Sequence, residues 1–116
     1  MSIKRLHTND RMSQAVIHGN TVYLAGQVAL KAPGASVADQ TRAILAQIDE
    51  LLSEAGTDKS KVLSATIWIS DMAKFAEMNA IWDEWAKGGN APARATVEAR
   101  LAAPHFNVEI GIIAAL

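Results

Sequence analysis

The chain contains no cysteine, which removes disulfides, thiolate nucleophiles and Cys-containing zinc sites together. It also carries almost no net charge: 11 Lys and Arg stand against 12 Asp and Glu, a balance of -1. A protein that follows a phosphate backbone needs a basic excess, so nucleic acid is disfavoured as a partner. No run stays free of charge and glycine for the ~18 residues that a membrane span requires. The N-terminal Met1-Ser2-Ile3-Lys4-Arg5 lacks the apolar segment of a secretory leader, so a cytoplasmic location is the default expectation. His7, His18 and His105 lie far apart, without the spacing of metal ligands, and no metal is expected. Equally missing are GxGxxG, a P-loop, HExxH, an EF-hand loop and GxSxG, and nothing singles out one serine as a nucleophile.

What is present is an apolar chain of 116 residues, 50% hydrophobic, enough for one domain over 1–116 with a core and too short for two ordinary ones. Ile3 to His7 reads as a short strand ended by Thr8-Asn9-Asp10. Gln14 to Ile17 and Thr21 to Ala25 flank His18-Gly19-Asn20 as a hairpin, with Gly19 and Asn20 able to take positive φ. Lys31 to Ala35 is a loop by its Pro-Gly pair. Val37, Thr41, Ile44, Ile48, Leu51 and Ala55 recur at steps of four and three, the stripe of an amphipathic helix. Ser36 with Asp39 resembles a capping box, and Gly56 is the stop. Lys61 to Ser70 is a strand with Leu63, Ala65, Ile67 and Ile69 on one face. A second helix, Met72 to Lys87, is capped by Asp71, carries Phe75, Met78, Trp82 and Trp85 as a packing stripe, and ends at Gly88-Gly89.

Two strands close the chain. In Arg94 to Leu101, Arg94, Thr96, Glu98 and Arg100 alternate with Ala95, Val97, Ala99 and Leu101, as in a half-solvated strand or one lining a site. In Val108 to Leu116 both faces are apolar except for Glu109. The element order predicts an α+β fold, a mixed sheet with two helices packed on one face. Two helices cover one side only, so the doubly apolar last strand implies that the other side packs on a second copy of the chain.

Arg94 and Glu109 are then the groups that need an explanation: a guanidinium just after a proline at a strand mouth, and one carboxylate inside the most apolar segment. They allow two interpretations. If the last strands formed a simple hairpin turning near Pro104 and His105, Glu109 would lie opposite Arg100 and Arg94 would be a solvated arginine. Alternatively, Arg94 presents its planar fork to a substrate carboxylate while Glu109 orients or deprotonates a water, the two meeting across an oligomer interface.

Over nearly its whole length the sequence resembles the reactive intermediate deaminases of the RidA/YjgF type, also called the L-PSP endoribonuclease family. The motifs are Gly19-Asn20 followed by Tyr23-Leu24-Ala25-Gly26-Gln27, then Phe75-Ala76-Glu77-Met78-Asn79, then Pro92-Ala93-Arg94-Ala95-Thr96-Val97-Glu98, and Val108-Glu109-Ile110. The resemblance implies a chorismate-mutase-like fold and a homotrimer with clefts between subunits. It also implies hydrolysis of an enamine or imine such as 2-aminoacrylate to a 2-keto acid and ammonia, without metal or organic cofactor. It gives Arg94 the substrate carboxylate, Glu109 the hydrolytic water, and Gly26, Thr96 and Asn79 places in the pocket. Met12 stands where the archetypal branch has a tyrosine, Ala25 where it has a serine, and Ala102-Ala103-Pro104-His105 replaces its proline turn, the pattern of a sister subfamily. Two other functions follow from the same residues: a non-catalytic module that binds a small carboxylate such as a keto acid, and RNA cleavage, which the neutral charge disfavours.

Overall fold

The computed structural model describes residues 1–116. Seven strands form: β1 (Ile3–Thr8), β2 (Ser13–His18), β3 (Thr21–Leu24), β4 (Gln27–Val28), β5 (Val62–Ile69), β6 (Ala93–Glu98) and β7 (Val108–Ala115). Two helices, α1 (Val37–Ala55) and α2 (Phe75–Ala86), complete the chain. The strands make one mixed sheet in the order β1-β2-β3-β7-β5-β6, with β4 also on β7. Every pair is antiparallel except β5 and β6. Those two are parallel because α2 carries the chain back between them.

Helix α1 starts and stops where its caps dictate. Ser36 Oγ accepts the Asp39 N–H at 3.1 Å, while Asp39 pairs with Arg42 rather than reaching back, so half of the capping box forms. Gly56 ends the helix at φ 93° and returns its N–H to the carbonyls of Leu52 and Ser53. Ile44, Ile48 and Leu52 of α1 and Met78 of α2 are fully buried against Ile67, Ile69 and Ile110 of the sheet. Each such side chain contributes about 1.5–3 kcal/mol on leaving water. Two polar ties lock the helices together: the Ala38 N–H donates to Glu77 at 2.9 Å and Trp85 Nε1 donates to Asp49 at 3.0 Å.

Five expectations are corrected, the first being that β6 stops at Glu98, so that Ala99, Arg100 and Leu101 lie outside the strand. Leu63 is 53% exposed, because the register slips by one residue between Val62 and Ser64 and Val62 enters the core instead. Asp71 caps a one-turn 3-10 helix, Met72–Lys74, and α2 begins only at Phe75. Of the hairpin residues Gly19 and Asn20, only Gly19 has positive φ. The last two strands are not a hairpin: β5 lies between them, pairing with β6 on one side and β7 on the other.

Both helices lie on the face that Ala65, Ile67, Ile69, Val108, Ile110 and Ile112 bury, and nothing covers the other. Within the single chain the last strand is therefore buried on one side only. The open face presents Tyr23 at 45% exposure, Val97 at 46% and Ile113 at 37%, in register across β3, β7, β5 and β6 with Gly111, Thr66 and Trp68. No helix is long and apolar enough to cross a membrane.

Candidate active site

Register decides where Arg94 points. It pairs with Ala65 across the parallel β5–β6 ladder, and paired residues share a face, so its side chain is on the helix side. There an Arg94 Nη1 N–H donates to Asn79 Oδ1 at 2.8 Å. The guanidinium carbon lies 5.8 Å from the Phe75 ring centre and 5.4 Å from that of Trp82, within the range of cation–π attraction. Phe75, Asn79 and Trp82 stand at spacings of four and three on α2, one face of a helix, and together hold the fork in one orientation. Arg94 is half-buried and forms no salt bridge. Two residues along the same face, Thr96 Oγ1 is buried with no hydrogen-bond partner, an arrangement that costs about 1–3 kcal/mol unless a further group satisfies it.

Glu109 has the opposite parity. It pairs with Trp68 on one side and Val28 on the other, so its side chain rises from the open face. Its carboxylate lies across Gly26, so closely that a Cβ at Gly26 would overlap Oε2. The opening is made by a bulge: from Tyr23 to Gln27 the chain takes four steps while β7 takes three, from Ile113 to Ile110. The extra residue leaves a gap in the ladder, and Gly26 keeps it open. Trp68 walls the other side, its ring packed over Gly111, where an added Cβ would stand 3.3 Å away. Glu109 forms no salt bridge, with Arg100 or any other cation.

The two groups do not meet within the chain. They project from opposite faces, separated by two strand spacings, roughly 10 Å. Arg94 is level with Ile112 through Ala65, three residues along β7 from Glu109, or about 10 Å more. None of the five principal cavities is lined by either residue; the largest, about 670 Å³, lies beyond the ends of β5 and β6 among Ser70, Glu98, Arg100 and Asn107. Of the sequence-nominated residues, Arg94, Asn79 and Thr96 gather on the helix side of β6, and Glu109 with Gly26 on the open face. Phe75 and Trp82 flank Arg94, and Val28 and Trp68 flank Glu109, none of them singled out by the sequence as neighbours of these groups. The spacing of Phe75, Asn79 and Trp82 was a usable signal for the first; nothing local pointed to Val28 or Trp68.

The fold is thus a small α+β protein that carries an unpaired guanidinium held by an amide and two rings on one face of its sheet, and a lone carboxylate across a glycine bulge on the other. The endoribonuclease L-PSP family model matches residues 2–116. The chain is 45% identical over 114 residues to a RutC family protein of Haemophilus influenzae, covering 98% of each. It is 44% identical over 116 residues to the RutC family protein YoaB of Escherichia coli, covering all of both. Among solved structures, a YjgF family member from Neisseria meningitidis superposes with a TM-score of 0.95 at 46% identity, covering 99% of this chain and 95% of that one. The chain belongs to the RidA/YjgF/RutC family, which broadly includes proteins that handle reactive enamines and imines.

Proposed function

We propose that the protein hydrolyses reactive enamine or imine intermediates such as 2-aminoacrylate to 2-keto acids and ammonia, in clefts between the subunits of a homotrimer. The observation that carries this reading is the state of Arg94: fixed by Asn79, Phe75 and Trp82, half-buried, and without a carboxylate of its own. Such a fork is built for a planar anion supplied from outside. The orphan hydroxyl of Thr96 beside it is a second donor in search of a partner.

A trimer, arranged as in the chorismate-mutase-like fold that the resemblance implies, supplies the missing half. The apolar open face seats a neighbouring copy, and the edge strand β6 of one subunit then brings Arg94 to the Glu109 trough of the next. Met12, which stands at the archetypal tyrosine's position, is 40% exposed and offers no phenol there.

The chemistry needs few groups. The enamine first tautomerises to the imine, whose carboxylate Arg94 holds. Glu109 takes a proton from water as the water oxygen bonds to the imine carbon, and the nitrogen is protonated. Glu109 returns its proton to the amino nitrogen of the resulting carbinolamine, whose C–N bond then breaks with the electron pair leaving on ammonia, while the hydroxyl proton passes to water as the carbonyl forms. Free imines of this kind already hydrolyse in water, so positioning and proton traffic are sufficient. No metal or organic cofactor enters any step.

The test is Arg94→Ala, assayed on imines generated in situ by an amino acid oxidase. Loss of accelerated hydrolysis with an intact oligomer is expected; wild-type rates would sink the assignment. Binding of 2-oxobutanoate by the wild-type protein without any acceleration would instead support a keto acid binding module. RNA cleavage that survives both repurification and Arg94→Ala would have to come from elsewhere on the chain.

A further inference from the structure

Beneath the Glu109 trough, on the helix side of the sheet, lies a chain of three glutamines. Gln27, only 5% exposed, donates from Nε2 to Gln14 Oε1 at 2.9 Å and to the Ala25 carbonyl at 3.0 Å. Gln47 of α1 donates from Nε2 to Gln27 Oε1 at 3.2 Å and to the Val28 carbonyl at 2.9 Å. Its own Oε1 accepts the Leu30 N–H at 3.2 Å. The amides of Gln27 in β4 and Gln47 in α1 thus grip the backbone from Ala25 to Leu30, the stretch that the bulge has taken out of regular pairing, and Gln14 of β2 anchors Gln27.

A bulge gives up ladder bonds, and its backbone needs other partners to hold one conformation. Gln27 and Gln47 provide them. Gln27 pairs with Ile110 and Val28 with Glu109, so the amides pull from below on the same few residues that form the floor and one wall of the trough above. We propose that Gln47, acting through Gln27, is a positioning residue for Glu109: it fixes the Ala25–Val28 backbone at the height that lets the carboxylate lie across Gly26. The inference rests on the deaminase reading above. It adds to it that helix α1, which makes no hydrogen bond to Arg94, controls the step that Glu109 performs.

The geometry separates this role from substrate binding. Arg94 is held by α2 and β6 and shares no hydrogen bond with the glutamine chain. Loosening the chain should therefore move kcat and leave carboxylate recognition alone.

The test compares Gln47→Met, close in volume but without amide donor or acceptor, with wild type and Glu109→Gln in imine hydrolysis. For Gln47→Met, kcat should fall about ten- to a hundredfold, the scale of a misplacement of about 1 Å, with KM and 2-oxobutanoate binding within about twofold. Gln47→Glu, whose carboxylate cannot donate to Gln27 Oε1 or the Val28 carbonyl, should share the defect. An unchanged kcat with only a lowered melting temperature would overturn the inference, and so would parallel loss of kcat and keto acid binding. If Gln47→Met does not fold, Gln14→Met, which removes only the outermost bond, is read by the same criteria and should show a smaller fall in kcat. Full activity of Glu109→Gln would also overturn the inference, since Glu109 would then perform no step for Gln47 to position, whereas the absence of any acceleration by the wild-type protein would remove the underlying deaminase reading instead.

Discussion

Arg94 and Glu109 project from opposite faces of one sheet, with β5 between the strands that carry them. One faces α2 and the other faces open space, and no side-chain motion short of unfolding can join them within a chain. A site that uses both must therefore be assembled from two copies.

The guanidinium's orientation depends on α2. In Asn79→Ala the 2.8 Å hydrogen bond to Arg94 is lost, and the fork swings on its stem. A bond to a charged group of this kind contributes roughly 1.5–3 kcal/mol, so 2-oxobutanoate should bind about ten- to a hundred-and-fiftyfold more weakly. Isothermal titration of the variant, with circular dichroism to confirm the fold, checks this. Unaltered affinity would mean that the amide does not set the fork.

Gly26→Ala isolates the trough. The Gly26 backbone lies outside the left-handed region, so alanine is tolerated conformationally, but its Cβ would occupy the space of Glu109 Oε2. The carboxylate can rotate away, so the melting temperature should change little while hydrolysis falls by about tenfold or more. Normal turnover in this variant would show that the position of Glu109 over Gly26 is irrelevant to the chemistry.

The core should respond quite differently. Ile67, fully buried at the centre of β5 between β6 and β7, loses its contacts and leaves a cavity when cut to alanine. Chemical denaturation of Ile67→Ala should show a loss of about 2–5 kcal/mol, whereas Val97→Ala on the open face should cost far less in the monomer and act instead on assembly.

How much of this was legible in the sequence depends on how local each signal is. Helix α1 was readable end to end, since Ser36 and Gly56 mark its ends and a stripe of mostly apolar residues runs between them, although the fully buried Gln40 has no signature in that spacing. The second helix was placed one turn early, because Asp71 caps a 3-10 turn that spacing alone cannot separate from an α-helix. Strand alternation correctly divided Arg94, Thr96 and Glu98 from Ala95 and Val97, but parity does not say which set meets the helices. The polar set does, because the register Ala65 to Arg94 puts it there. The insertion of β5 between β6 and β7 is a long-range pairing with no local signature. For the same reason Trp68 and Val28 could not be foreseen as neighbours of Glu109, and Trp82 was read as packing alone although it also flanks Arg94.

Subunit complementation is the most direct measurement. Arg94→Ala and Glu109→Gln chains, each inactive alone, are unfolded together, refolded into mixed oligomers and assayed for imine hydrolysis. If each cleft takes Arg94 from one subunit and Glu109 from its neighbour, random mixing places both intact residues in about a quarter of the clefts, and about that fraction of wild-type activity should return. Mixed oligomers that form, as verified by mass spectrometry, yet stay as inactive as either parent would show that the two residues do not share a site.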